Sequence, residues 1–317
     1  MPDSSSKPTS GPASSSTGSA KSFTRRNMVL GTAAIAGLSA AAIANRADAN
    51  TEVPPEPTPG IAPAGRSFEG RVIVVTGATS GIGEETAKAF ARAGAQVAFN
   101  GRREERGRQV ESEIRAEGGE ATYIQTDVRI PEQVTSFFQE VDNVYGGLDI
   151  AFNNAGIVSP NAPTAEQTLE DWTAVMDINA RGYWLCMKEE IPRMLSQGGG
   201  HIINNASVSG HVGFANIMPY SVSKHAIIGM TKCAALEYGP QNIRINSISP
   251  GGVDTPMRRQ AILAQDGDPT TPPPNLPGRI NTSEEMARVV MMLASDDATS
   301  ILGTDIDVTT GMLTSCI

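Results

Sequence analysis

The stretch Val72-Ile73-Val74-Val75 followed by Thr76-Gly77-Ala78-Thr79-Ser80-Gly81-Ile82-Gly83 constrains this chain more than any other. Its apolar, β-branched start reads as a strand buried on both faces, and the pattern from Glu84 to Ala93 reads as an amphipathic helix. A strand that passes through a short glycine turn straight into a helix is the unit of a layered α/β sheet. The unit repeats. Strands are predicted at Gln96 to Asn100, Ala121 to Gln125, Leu148 to Phe152, His201 to Asn205 and Ile243 to Ile248. Helices fall between them, among them Pro131 to Tyr145, one long helix from Glu170 to Leu195, and one carrying Tyr220 that runs to about Tyr238. No solenoid repeat is present, so the alternation implies a parallel sheet with helices on both faces.

The glycine turn also carries chemistry. Glycines between a strand and a helix let a pyrophosphate approach the backbone, and the helix N-terminus attracts its negative charge. After the second strand comes Gly101-Arg102-Arg103. An acidic side chain there would accept from ribose hydroxyls, as NAD prefers, whereas arginines suit a 2′-phosphate. This points to NADP. NAD is the alternative if the two arginines only open the next helix and face water with Glu104 and Glu105. Asp127 and Val128 follow the third strand, where an adenine ring can be flanked, and Asn153-Asn154-Ala155-Gly156 closes the fourth with small residues that permit close approach.

Tyr220 and Lys224 lie four apart, so on a helix they share one face. A tyrosine titrates near pH ~10, and a neighbouring cation favours its phenolate. With Ser207 upstream to hydrogen-bond a substrate oxygen, the set suits proton exchange between an alcohol and a carbonyl. The plain alternative is a chance Y-x-x-x-K on a helix surface.

Composition removes other classes. Net charge is −9 and no basic cluster lies outside the N-terminus, against nucleic-acid binding. Cys186, Cys233 and Cys316 are far apart and form no ligand cluster with His201, His211 and His225, so neither a metal site nor a disulfide framework is expected. Residues 1 to 22 are rich in Ser, Pro, Thr and Gly, a composition expected to stay disordered. Arg25-Arg26, a mild apolar run to about Ala44 and Ala47-Asp48-Ala49 read as a twin-arginine type signal spanning 1–49, implying periplasmic or other export; a cytoplasmic location is the alternative. The run falls short of the ~20 apolar residues of a spanning helix, so no stable anchor is expected. A proline-rich linker, 50–66, leads to one domain at 67–317.

From about Arg71 to Gly311 the chain resembles the short-chain dehydrogenase/reductase family in its shorter, single-domain branch. T-G-x-x-x-G-I-G at Thr76 to Gly83, N-N-A-G at Asn153 to Gly156, Ser207, Y-x-x-x-K and Pro250-Gly251 stand in the family's order and approximate spacing. The resemblance implies a Rossmann-type doubly wound sheet in the order 3-2-1-4-5-6-7. It implies Tyr220 as acid/base, Ser207 orienting the substrate oxygen, Lys224 lowering the tyrosine pKa and holding the nicotinamide ribose, and Asn179 holding a water that links Lys224 to solvent. Gly77, Ser80, Gly81, Ile82 and Gly83 would lie along the phosphates, Arg102 and Arg103 near the adenosine, Asp127 and Val128 by the adenine. Asn154, Ala155 and Gly156 would lie by the ribose; Pro250, Gly251, Val253 and Thr255 would flank the carboxamide end. The helices 170–195 and 220–238 would pair copies into a homodimer or homotetramer, with Cys186, Met187 and Met230 in the interface. One departure stands out: where the family often has V-D-G-G, this chain has Val308-Thr309-Thr310-Gly311.

Substrate choice should lie in the loops Ile157 to Ala165, Val208 to Pro219 and Met257 to Arg279, the last a mobile lid or partly disordered loop. Val158, Val208, His211, Phe214, Ile217, Met218 and Met257 would give a mostly apolar pocket, favouring a cyclic or otherwise apolar secondary alcohol or ketone over a sugar phosphate. The function expected is hydride transfer between NADP(H) and such a substrate. A nucleotide-binding sensor or structural subunit of the same fold is the rival; it has no need for all four catalytic residues.

Overall fold

The computed structural model describes residues 68–315. The predicted leader, the linker and Cys316 lie outside the described residues. Strand β1 (Val72–Val75) is buried throughout. Successive side chains of a strand point to opposite faces, and both faces are covered: Val72 and Val74 join one core, Ile73 and Val75 the other.

From β1 the chain runs through α1 (Gly81–Arg92), β2 (Gln96–Gly101), α2 (Glu104–Ala116), β3 (Glu120–Gln125), α3 (Pro131–Tyr145) and β4 (Ile150–Asn153). It continues with α4 (Leu169–Met176), α5 (Gly182–Ser196), β5 (Gly200–Asn205), α6 (Met218–Tyr238) and β6 (Ile243–Pro250). Last come α7 (Pro256–Leu263), α8 (Ser283–Ala294), β7 (Asp305–Val308) and the short α9 (Met312–Ser315). The sheet has seven strands in the order β3-β2-β1-β4-β5-β6-β7, every neighbouring pair parallel. Helices α3, α5 and α6 bury their apolar faces on one side, with Phe137, Phe138 and Met194. Helices α1, α2 and α8 bury theirs on the other, with Phe90, Val110 and Leu293. Chain direction reverses between β1 and β4, which opens a crevice at their carboxyl ends.

Before β1, Phe68 is buried edge-on against Phe90 (ring centroids 5.0 Å apart) and its amide donates to the Ala93 carbonyl. Two local features depart from the sequence reading. The expected single helix over 170–195 is interrupted by a π turn at Asp177–Arg181. At that turn Asn179 reaches sideways to the backbone of Ile157. Finally, Cys186 and Met187 belong to the core of this chain, with 2% and 4% of their surface exposed. The apolar side chains that these helices do expose are others: Trp184 and Leu195 on α5, Val222 and Leu236 on α6.

A buried polar chain crosses the α5–α6 side. Asn153 Nδ2 donates to Glu190 Oε2 (3.1 Å) and Asn204 Oδ1 (3.1 Å), and Asn204 Nδ2 donates to Thr231 Oγ1 (3.0 Å). Burial pushes the Glu190 carboxyl from 4.5 to about 8, against the opposing pull of Asn153 and Arg193. In that window the folded chain keeps a proton that the unfolded chain releases. Stability should therefore fall as pH rises through it, by up to roughly 1.4 kcal/mol per unit. Denaturant titrations of Glu190→Gln beside the parent should show the variant gaining relative stability from about pH 5 to pH 8; an offset independent of pH would contradict the assignment.

Candidate active site

The site is built at the crevice from residues that leave no room for alternatives. Gly77 and Gly81 have φ of +67° and +59°, a region that favours glycine. A Cβ at Gly77 would stand 2.6 Å from the Ala155 Cα, and one at Gly83 would stand 2.4 Å from Asn154 Nδ2. These glycines let the turn after β1 press against the end of β4. Polar side chains lock the contact: Thr76 Oγ1 accepts from the Asn154 and Ala155 amides (2.9 and 3.1 Å), and Asn154 Nδ2 donates to the Thr76 and Gly77 carbonyls. Asn205 Nδ2 in turn donates to Asn154 Oδ1 (2.8 Å), and Asn100 Oδ1 accepts from the Gly77 amide (3.2 Å). The sequence reading had not singled out Thr76, Asn100 or Asn205. Their signal was a polar side chain ending a buried parallel strand, where nothing in an apolar core calls for it.

At the start of α1 the Ser80 side chain does not cap the helix. It accepts instead from Arg103 Nη2 (2.7 Å), which also donates to Thr79 Oγ1 (2.9 Å). The first amides of α1 therefore face the crevice without a side-chain acceptor, as an anion site requires. A glycine cradle that a Cβ would fill, an uncapped helix start and two arginines fit a dinucleotide. Arg102 and Arg103 both line the cavity and are exposed. Asp127 and Val128 line it too, though the Asp127 carboxylate is committed to Arg129 (2.6 Å), a bond that holds it below the usual range.

The cavity measures about 1380 Å³, above the roughly 300–1,000 Å³ of an ordinary ligand pocket. It takes in Gly77, Ser80, Gly81 and Ile82 from the turn, Asn154, Ala155 and Gly156 after β4, and Pro250, Gly251, Val253 and Thr255 after β6. Ser207, Tyr220 and Lys224 complete its wall. Gly83 and Asn179 stand behind it. Asn179 Oδ1 accepts from the Ile157 amide (2.9 Å), while its Nδ2 donates to the Ile157 carbonyl (2.8 Å) and to Ser223 Oγ (3.1 Å). Ser223 Oγ donates to the Tyr220 carbonyl (2.7 Å). The side-chain amide thus ties the loop after β4 to the first turn of α6, a positioning role distinct from the expected hold on a water.

Lys224 is buried, and its Nζ donates to the Asn205 carbonyl (2.7 Å). The same carbonyl accepts from Tyr183 Oη (3.2 Å). The ammonium lies 5.7 Å from the Tyr183 ring centroid and 5.5 Å from that of Tyr220, within reach of both π faces. Burial brings Lys224 down to about 7. The expected lowering of the Tyr220 pKa does not come from the protein's own groups. Burial pushes that phenol up, and the opposing contribution is a hydrogen bond with Ser207.

Around the substrate end, Val158, Val208, Phe214, Ile217 and Met257 line the cavity as expected from their apolar character. His211 and Met218 do not. His211 Nε2 meets Asp305 Oδ2 on β7 (2.7 Å), since the turn after β5 aims it along the sheet edge. His225 turns outward from Lys224 and lies near the Ser221 carbonyl. The segment from Met257 to Arg279, expected as a mobile or disordered lid, carries α7 and a bonded return: Arg258 donates to the Pro269 and Thr271 carbonyls, both at 2.7 Å.

Comparison with known proteins decides the family. The family model described as enoyl-(acyl carrier protein) reductase matches residues 77–313. A solved structure of a short-chain type dehydrogenase/reductase from Mycobacterium marinum superposes with a TM-score of 0.73 at 35% identity, covering 80% of this chain and 98% of that one. The chain belongs to the short-chain dehydrogenase/reductase family. Among its relatives are cyclohexanol dehydrogenase of Acinetobacter sp. (strain SE19), 38% identical over 236 residues, and 3beta-hydroxysteroid dehydrogenase of Mediterraneibacter gnavus, 37% identical over 255. Each match covers 74% of this chain and 92% of the relative. This short-chain dehydrogenase/reductase is thus an enzyme acting on CH–OH groups with a nicotinamide dinucleotide, and its sheet order is that of the family fold.

Proposed function

We propose that the enzyme interconverts a cyclic, largely apolar secondary alcohol and its ketone with NADP(H), Tyr220 exchanging the proton. The observation that carries this reading is the meeting of Ser207, Tyr220 and Lys224 in the apolar part of a cavity whose other end is a glycine cradle beside two arginines. The named activities of the relatives, on cyclohexanol and on a hydroxysteroid, support a ring-bearing substrate.

The dinucleotide supplies hydride chemistry when bound. The chain's own residues hold the substrate oxygen and move its proton. Ser207, buried and close enough to hydrogen-bond the Tyr220 hydroxyl, orients that oxygen. Because burial raises the phenol, Tyr220 carries its proton at neutral pH and is ready to donate it in the reductive direction. Lys224, fixed on the Asn205 carbonyl beside the Tyr220 ring, would hold the ribose. Apolar walls exclude water from the reacting carbon.

For the cofactor, Arg102 and Arg103 support a 2′-phosphate. Fluorescence titration should give tighter binding of NADPH than NADH, and Arg102→Ala should cost roughly 10- to 100-fold in NADPH affinity, the range of a charge-assisted hydrogen bond. NADH affinity should hardly change. Equal binding of both nucleotides, unaffected by the substitution, would return the arginines to the surface and favour NAD. Two further expectations stay part of this proposal. Copies pair through the faces of α5 and α6 that expose Trp184, Val222 and Leu236. The Arg25-Arg26 leader directs export, with the domain already folded around its nucleotide.

A further inference from the structure

Thr310 is a β-branched residue with φ of +54°, a conformation that L side chains with a branched Cβ strongly disfavour. It occupies the Val308-Thr309-Thr310-Gly311 segment, the place where this chain departs from the family's V-D-G-G. A glycine would hold that backbone at no steric cost. Outliers of this kind persist where the surrounding structure fixes them and where they have a use.

The surroundings name the use. Thr310 Oγ1 donates to the Thr309 carbonyl (2.6 Å) and accepts from Asn275 Nδ2 (2.9 Å) and Asn281 Nδ2 (3.3 Å). The Thr310 carbonyl accepts from the Leu276 amide (3.1 Å). Leu276 lies over Gly311 so closely that a Cβ there would stand 2.5 Å from its side chain. Asn281 is fully buried and pairs its backbone with Gly252 and Asp254, directly after Pro250-Gly251. Pro273 closes on the same spot, 2.6 Å from where a Gly252 Cβ would be. The return from α7 is therefore moored by Arg258 at its start, and at its end by Thr310 and by Arg279, which pairs with Glu285 on α8 (2.6 Å).

We infer that Thr310 is a positioning residue that seats the 268–280 loop, with Pro272, Pro273 and Pro274, as a fixed wall of the cavity at the carboxyl end of β6. A glycine in its place would satisfy the backbone and keep the Leu276 bond, but would remove the side-chain acceptor that holds Asn275 and Asn281. This goes beyond the proposed function and leans on it only for the kinetic readout.

The test compares full-length parent, Thr310→Gly and Thr310→Ser. In Thr310→Gly, amide hydrogen exchange within 269–280 should quicken by ~10-fold or more, the loss of a hydrogen-bonded mooring, while exchange in β1, β4 and β5 stays at the parent rate. The thermal midpoint should stay close to the parent's, because relief of the strained φ offsets the acceptor lost by Asn275 and Asn281. With a turned-over cyclic alcohol, KM should rise by about an order of magnitude with kcat much less affected, as loss of a binding wall predicts. Thr310→Ser, which keeps the hydroxyl, should restore slow loop exchange. Unchanged loop exchange in Thr310→Gly would overturn the inference, as would a general loss of protection with a lower midpoint, the mark of a merely structural residue. Loosening of the loop in a protein that turns over no cyclic alcohol would sustain the role of Thr310 and count against the proposed substrate.

Discussion

Tyr220→Phe is expected to lower turnover by roughly 10²- to 10⁴-fold, the usual worth of a positioned general acid/base, with nucleotide affinity and thermal midpoint close to the parent's. Phenylalanine keeps the ring beside the Lys224 ammonium, and so keeps the 5.5 Å contact. It removes only the hydroxyl that Ser207 reaches. The serine hydroxyls nearby are far weaker acids and do not replace it, and the Lys224 Nζ is engaged by the Asn205 carbonyl. Steady-state rates with a nucleotide-binding control check the outcome. A variant that binds nucleotide and turns over at the parental rate would remove Tyr220 from the chemistry.

Lys224→Met should act on two observables at once. Turnover should fall by ~10²-fold or more, because the amine proposed to hold the nicotinamide ribose beside Tyr220 is gone. The fold itself should tolerate the change: methionine fills the stem's volume, and the Asn205 carbonyl retains Tyr183 Oη at 3.2 Å. The second observable is the pH profile of stability. Burial lowers Lys224 from 10.5 to about 7. Between those values the unfolded chain binds a proton that the folded chain does not, so stability must rise with pH across the window, by up to roughly 1.4 kcal/mol per unit. The sign is opposite to that of Glu190, whose window lies from 4.5 to about 8. Denaturant midpoints from about pH 7 to pH 10 should climb in the parent relative to Lys224→Met. Parallel profiles would mean that Lys224 is not buried as a neutral amine above neutrality.

Much of this architecture was legible in the chain, and the reasons are physical. A strand buried on both faces must be apolar at every position, so Val72 to Val75 and its counterparts announced themselves, and the parallel order followed from helices between them. The glycine turn was legible because Gly77 and Gly83 are demanded by close contact with the Ala155 backbone and the Asn154 side chain. What failed to show was anything decided by which neighbour covers a helix face. Cys186 and Met187 have the character of an interface and lie in the core, whereas Leu236 is 82% exposed. His211 looked available to substrate, yet its carboxylate partner Asp305 is far away in sequence and only the β6–β7 pairing brings it close. The π turn at Asn179 was hidden for the same reason: the partner of its side chain there is the backbone of Ile157, outside the helix.

Hydride should pass between a ring-borne secondary alcohol and the nicotinamide of a dinucleotide whose phosphates rest on the glycine cradle, and isotope transfer reads this step. Cyclohexanol deuterated at its carbinol carbon would be incubated with the purified enzyme and NADP, and the reduced nucleotide examined by NMR. Cyclohexanone and one deuterium on the nicotinamide should appear for each alcohol consumed, and both far more slowly with Tyr220→Phe. Deuterium released to solvent, or ketone formed without a labelled nucleotide, would contradict it.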